Sequence, residues 1–454
     1  SKWTGTINKL IVGFDYTVTG HAYKCTDCPE EPEVVVSTFA GSGNRLSEDG
    51  IGIEASFKGP SVINSDANGN FYLGGYPSHK IRKIDSSGYV STLAGSGSIG
   101  STNGEAGSAS FNYPLGAASD SFGNVFIADY DNNLIRKIDL SGQVSTFAGG
   151  QAGFSDGQGT SAKFNKPIGI VVDPNGNVFV GDAVNRRVRK ITPDGNVTTF
   201  AGNGSEGSQD GPATSASFCG PVGLAIDNSG NIYVADGCNH MIRKIDSAGN
   251  VTTLAGSGSS GFLDAQGKSA LFNTPYDVAV DNNRNVYVAD EKNHSVRKID
   301  ANGNVITLAG NGAPGYVEGN GNEAQFNKPS GVTLDSNGNI YVSDTSNSVI
   351  RKIKIGSDNH TYQEIFRGDT QHTVTEGTNS LNLRLAPLLD DRELTVPRIT
   401  RINRPFQMVA STSDNITVAV DTVKKDGSSA VDATLSYRFR SIDNVSLPLD
   451  NITG

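Results

Sequence analysis

"VSTFAG" occupies Val36–Gly41, and five near copies follow it: "VSTLAG" from Val90, "VSTFAG" from Val144, "VTTFAG" from Val197, "VTTLAG" from Val251 and "VITLAG" from Val305. Each later copy closes a longer repeated unit. The first copy stands before any unit has begun. The units carry variants of P-x-G-x-x-x-D-x-x-G-N-x-(Y/F)-V-x-D-x-x-N-x-x-(I/V)-R-K-I, and they start at Pro60, Pro114, Pro167, Pro221, Pro275 and Pro329, 53 or 54 residues apart. Spacing this even, with almost no insertions, means one structural module per unit.

The third unit shows how a module is read. "IGIVVD" is a strand, "PNGN" a turn, "VFVGD" a strand, "AVNR" a turn, "RVRKI" a strand, "TPDG" a turn and "NVTTFAG" a last strand. Asn and Gly supply the positive φ that tight turns need, and β-branched and aromatic residues fill the strands. Four antiparallel strands, named A to D from the proline onward, repeated radially make a β-propeller blade. The predicted fold is therefore all-β: a six-bladed propeller over residues 34–355. The sixth unit ends at "VIRKIKIG", Val349–Gly356, with no "VxTxAG" behind it. Val36–Gly41 is predicted to be that missing strand, pairing with strand C of blade 6 and closing the ring so that no sheet edge is left bare.

On the residues "GNIYVADGCNHMIRKI" (Gly230–Ile245) and "NVYVADEKNHSVRKI" (Asn285–Ile299), the chain resembles NHL-repeat proteins, in particular bacterial secreted or cell-surface ones. The resemblance implies a propeller. The first unit departs from it, with Gly75 and Ser78 where later units have Asp and Asn, so its B–C turn is expected to differ in shape.

The chain has 454 residues, 55 of them Gly, and a formal net charge of −10. An anionic chain does not favour nucleic acid, and no apolar run reaches the roughly 18 residues of a membrane helix. Outside the ring lie two β-rich flanks. Residues 1–33 hold "TGTINKLIVGFDYTVTG" and the "CTDC" pair Cys25 and Cys28; residues 356–454 hold "NITVAVDTV", "KKDGSS" and "AVDATLSYRFR", a hairpin of a sandwich-like region. Ring closure brings both flanks to one place. Starting at Ser1 without a leader and stopping at "NITG", the chain reads as a fragment or a processed protein.

Cys219 and Cys238 lie symmetrically about the A–B turn of blade 4, opposite each other at the open end of that hairpin, which suits a disulfide. A local disulfide is also expected between Cys25 and Cys28. Disulfides imply an oxidising compartment, so the expected location is extracellular or at the cell surface.

The A–B and C–D turns fall on one face of the ring; the B–C turns and the long D–A loops fall on the other. The D–A loops carry an in-register acidic or amide position at Asp49, Asn103, Asp156, Asp210, Asp264 and Glu318. Two residues earlier stand Phe154, Phe262 and Tyr316, with Ser in the remaining blades. Phe154, Phe262, Tyr316, Asp156, Asp264 and Glu318 are the candidate ligand-binding residues, because exposed aromatics on long loops make binding anchors. The competing reading of the acids is a loop cap on backbone N–H groups. Calcium needs six to eight oxygens at one point, and one acid per blade is sparse for that, so no cofactor is expected.

Some six-bladed relatives are metal-dependent lyases or esterases. Here the innermost strands contain no His, and only Asn64 and Asp277 add polarity to them. His79, His240 and His294 recur at one B–C turn position, away from the axis, and no metal site or catalytic constellation is expected. The function expected is a non-enzymatic extracellular binding or adhesion module for a protein or glycan. The alternative is a structural subunit of a surface assembly or filament, self-associating through the flanks by strand addition.

Overall fold

The computed structural model describes residues 34–356 in full and, in the flanks, only the backbone of strands. Six antiparallel sheets stand around a ring, each with a proline-initiated strand innermost. Blade 3 is representative: strand A is Pro167–Val172, B Val178–Asp182, C Arg187–Ile191 and D Asn196–Ala201. The innermost strands approach so closely that glycine is required. A Cβ on Gly169 would lie 2.2 Å from the Val222 carbonyl oxygen of the next blade. At the matching place in blade 5 stands Asp277, whose Oδ2 accepts the Val332 N–H of blade 6 at 3.0 Å.

The N-terminal copy is strand D of blade 6. Val34–Ala40 pairs antiparallel with Val349–Ile355, from Val34 opposite Ile355 to Ala40 opposite Ile350. Even the irregularity of the repeat is reproduced: the register shifts between Thr38 and Ala40, as the C–D pairing of blade 3 shifts between Val188 and Arg189. Val36 and Ala40 are buried, and Phe39 packs edge-on against Tyr341 of blade 6 and Phe71 of blade 1. The strand thus seals the seam between the last blade and the first.

Sequence reading assigned four strands to a blade; five of the six blades have a fifth. In blade 1 Gly50–Ile51 pairs with the outer edge of strand D, Gly50 opposite Val90. The D–A loop therefore folds around the outside of its own blade. It covers the edge that strand D would otherwise expose. The fifth strand is two residues long, too short to show periodicity in sequence.

Packing between blades supplies the core. The loop phenylalanines Phe57, Phe111, Phe164, Phe218, Phe272 and Phe326 are fully buried. Phe164, for example, joins Phe126 and Ala128 of blade 2 to Ile170 and Val180 of blade 3. Six such seams make the ring one cooperative object.

Cys219 and Cys238 are disulfide-bonded, with Cα atoms 5.7 Å apart. They lie two residues beyond the Pro221–Asp236 pair, and a register shift between Pro221 and Leu224 sets that alignment. The B–C turn of blade 1 differs from its counterparts, as expected from Gly75 and Ser78, and contains a cis Tyr76–Pro77 peptide.

The flank strands form a separate unit, residues 1–32 with 357–454. Asp15–Cys25 pairs with Tyr362–Thr373 on one side and Leu394–Arg401 on the other. Asn415–Val423 pairs with Ser429–Arg438. The disulfide expected between Cys25 and Cys28 lies outside the described residues. Among the described residues no helix is long and apolar enough to cross a membrane.

Candidate functional site

The repeated arginine of strand C organises the loop face. Arg136, Arg189, Arg243, Arg297 and Arg351 are fully buried. Each pairs with the Asp that ends strand B; Arg189 Nη1 donates to Asp182 Oδ2 at 2.9 Å, both side chains wholly buried. The same guanidinium donates to the loop carbonyls of Lys163 and Ser155 and to Asp156 Oδ1 at 2.6 Å. It also lies over the Phe164 ring, 5.1 Å from the centroid. A charge taken out of water is tolerable only when its donors are used in this way. The Asp carboxylates have partners besides the Arg: Asp182 accepts from the Asn165 N–H and from Asn185 Nδ2. Burial pushes the Asp129, Asp290 and Asp344 carboxyls up to about 6, against the pull of these hydrogen bonds and of the paired Arg. Blade 1 lacks the Asp, and there Arg82 keeps only the loop carboxylate, Asp49, at 2.9 Å.

The in-register loop acids share a second duty. Asp156 accepts from Thr199 N–H and Oγ1, and Asp264 from Thr307 N–H and Oγ1, tying the loop to strand D. Glu318, one methylene longer, does this for the N-terminal strand: its Oε1 accepts the Thr38 N–H at 2.8 Å. The Tyr316 hydroxyl meets Thr38 Oγ1 at 2.5 Å. Asp264 pairs with Arg297 at 2.5 Å, as Asp156 does with Arg189.

Phe154, Phe262 and Tyr316 are about half exposed. Each covers the buried arginine of its own blade, Arg189, Arg297 or Arg351, with the guanidinium 4.8–4.9 Å from the ring centroid. Arg187 stacks on Phe154 as well, at 3.7 Å. The six candidates therefore sit on one face but in three blades, and each also holds its loop in place.

His79, His240 and His294 staple neighbouring blades. Nδ1 of His240 accepts the Thr274 N–H of blade 5 at 3.0 Å, and Nδ1 of His294 accepts the Lys328 N–H of blade 6 at 3.1 Å. His79 does the same with Tyr113, and in blade 2 Asn133 plays the part with Lys166. All four have left-handed backbone, with φ from 51 to 57°. Burial, aided by nearby lysines, lowers the pKa of each of the three histidines. A lowered histidine pKa means stability that is full above the unfolded value of about 6.5 and is lost as pH falls through the folded value. Replacing all three by Asn, which suits left-handed backbone, keeps an acceptor that does not titrate. Wild type is expected to lose roughly 2 kcal/mol relative to this variant between pH 7.5 and 5. Urea melts of both proteins at both pH values measure this; the buried Asp residues are common to both and cancel. Parallel pH profiles would refute the staple.

A second cluster lies at the centre of the same face, and sequence reading missed it. The residue after each proline and the residue after the strand-B Asp project here. Leu115 and Ile168 are buried with Val62, and Tyr130, Ala183, Val222 and Tyr276 pack on them. The signal was present in the sequence as departures from the repeat, Tyr276 and Glu291 among them, at positions whose convergence only the ring reveals. The opposite mouth of the channel is a cavity of about 190 Å³, and Asn64 there hydrogen-bonds to the Ala117 and Ile170 carbonyls of blades 2 and 3. Among the described residues no cluster of three or more His, Cys, Asp or Glu could hold a metal ion.

The family model for the NHL repeat matches residues 164–191, 218–245, 272–299 and 326–353. Blades 3 to 6 are NHL repeats. Blades 1 and 2 fall outside the matched residues, and blade 1 is the one without the buried Asp. The chain is 32% identical over 284 residues to Protein SUPPRESSOR OF QUENCHING 1, chloroplastic, of Arabidopsis thaliana, covering 58% of this chain and 27% of that protein. It is 27% identical to human NHL repeat-containing protein 2 over 363 residues, 71% of this chain and 48% of that protein. The chain thus spans less than half the length of these curated relatives. Among solved structures, an auxiliary nutrient binding protein from Bacteroides thetaiotaomicron superposes with a TM-score of 0.56 at 20% identity, covering 72% of this chain and 78% of that one. That likeness is one of fold.

Proposed function

We propose that this NHL propeller is a non-enzymatic binding module, acting outside the cell or at its surface, that recognises a protein or glycan through its long-loop face. The observation that carries the reading is how the repeat divides. Residues common to most blades, such as Arg189 and Asp182, are wholly buried and structural. Residues that vary from blade to blade, such as Phe154, Phe262 and Tyr316, stand half-exposed on the loop face. Selection for structure alone gives no reason for an aromatic in three blades and Ser in the others. A propeller of the same fold being described as a nutrient-binding protein is in keeping with this reading, and the Cys219–Cys238 disulfide suits an oxidising compartment.

The test is a screen of protein and glycan partners with wild type and with a Phe154→Ala/Phe262→Ala variant. Partner affinity is expected to fall roughly tenfold or more, as for aromatic anchors at interfaces. Retained affinity with unchanged thermal stability would remove these two rings from the binding surface.

A further inference from the structure

The cysteine bridge of blade 4 joins two positions that blades 2, 3, 5 and 6 join by a hydrogen bond. In those four blades the second residue after the strand-B Asp donates its N–H to the carbonyl of the Asn two places before the strand-A proline. Asp131 donates to Asn112, Val184 to Asn165, Lys292 to Asn273 and Ser346 to Asn327, at 3.0–3.2 Å. In blade 4 the same two positions hold Cys238 and Cys219, and a disulfide connects them. The main-chain bond has moved inward by one residue on each side: the Gly237 N–H donates to the Gly220 carbonyl at 3.0 Å.

The residue just before the proline has turned as well. Tyr113, Lys166, Thr274 and Lys328 are left-handed there, with φ of 53–59°. Each directs its N–H to Asn133 or to a staple histidine in the preceding blade. Gly220 lies outside the left-handed region. Its N–H turns back to Asp236 Oδ1 of its own blade, at 3.0 Å. At the staple position blade 3 has Arg186, whose guanidinium only donates and pairs with Glu206 at 2.8 Å. Glycine is the residue type to which both backbone conformations are open. One molecule thus displays two arrangements of the same segment, and the bond that sets blade 4 apart is a disulfide. Cys238 is exposed, so an attacking thiol has access to it.

We propose that Cys219–Cys238 is a thiol-controlled switch between these two arrangements. A dithiol reductant attacks Cys238 Sγ and the Sγ–Sγ bond breaks. The dithiol supplies two electrons and two protons; it leaves as its cyclic disulfide, and Cys219 and Cys238 become thiols. The released segment takes the arrangement of the other four blades. Gly220 becomes left-handed, the Cys238 N–H bonds to the Cys219 carbonyl, and the Gly237 N–H gives up the Gly220 carbonyl. The Gly220 N–H leaves Asp236 and turns toward the seam with blade 3. Such a change at a bistable segment resets the loop face between blades 3 and 4 without unfolding either blade.

The test is residue-resolved amide hydrogen exchange on the full chain, with and without dithiothreitol. On reduction the Gly220 and Gly237 amides are expected to exchange about tenfold faster and the Cys238 amide about tenfold slower, with strand B, Ile232–Asp236, unchanged. Cys219→Asn/Cys238→Ser installs the residue types that blade 6 has as Asn327 and Ser346. It is expected to show the reduced pattern with no reductant present, which separates this bridge from Cys25 and Cys28. Gly220→Ala places a Cβ 3.4 Å from Cys238 Sγ, an ordinary contact, but disfavours left-handed backbone. That variant is expected to form the bridge and to keep the oxidised pattern after reduction. Unchanged exchange at Gly237 and Cys238 in the reduced wild type, or a Gly220→Ala protein that switches as wild type does, overturns the proposal. Faster exchange through Ile232–Asp236 on reduction also overturns it, because the bridge is then a brace for the blade and not a switch.

Discussion

Deleting residues 1–41 is expected to lower the thermal midpoint by about 10 °C or more and to promote association through a bared sheet edge. The strand lost, Val34–Ala40, contributes a full ladder to Val349–Ile355. It also buries Val36 and Ala40 and half-buries Phe39 across the seam of blades 6 and 1. Burial of this apolar surface, with the ladder bonds, amounts to roughly 5 kcal/mol or more. In a chain of this size each kcal/mol moves the midpoint by about 2 °C. Deleting 1–33 alone keeps the strand and is the control. A synthetic 34–41 peptide should restore much of the loss, because Thr38 then regains Glu318 and Tyr316. A scanning calorimetry trace of the 1–41 deletion that matches the 1–33 deletion would show that the strand does not hold the ring.

The second large effect concerns the buried ion pairs. Asp290→Ala leaves the guanidinium of Arg297 wholly buried with no other buried carboxylate, its remaining anion being the half-exposed Asp264. The expected loss is about 3–5 kcal/mol, because an uncompensated buried charge costs more than the pair contributes. Asp290→Ala combined with Arg297→Met removes that charge and should recover much of the loss. Chemical denaturation of the three proteins checks both statements. A double variant less stable than the single would show that the pair, and not the orphaned charge, dominates. The loop should loosen in the double variant, because Arg297 also donates to the Leu271 and Leu263 carbonyls. Blade 1 already lives without the Asp, its Arg82 paired only with the loop acid Asp49, the counterpart of Asp264.

Much of this was legible beforehand. The repeat spacing defined the blades, and the misplaced "VSTFAG" marked the closing strand. The candidate acids were readable as an in-register series, and their capping role was one of two readings. That Glu318 and Tyr316 would hold the N-terminal strand was not readable, because their partner Thr38 lies about 280 residues away in the chain. The histidines were legible as a repeated position but not as staples, since each bonds a backbone N–H in the next blade. The central apolar cluster was invisible for the same reason. Its residues are scattered one or two per unit, and each looks like an isolated lapse in the repeat.

The sequence by itself determined the number of blades, their strand order and the closure of the ring. These follow from local information: turn residues, strand periodicity and a count of units. The tertiary structure alone decided which polar groups meet. The arginine clamp, the fifth strand and the central cluster around Leu115 and Ile168 all depend on how a loop folds back or how side chains converge at the axis. The first two are fixed by a long loop folding back on its own blade and the third by six sheets meeting at one centre, and neither kind of contact leaves a periodic signal in the sequence.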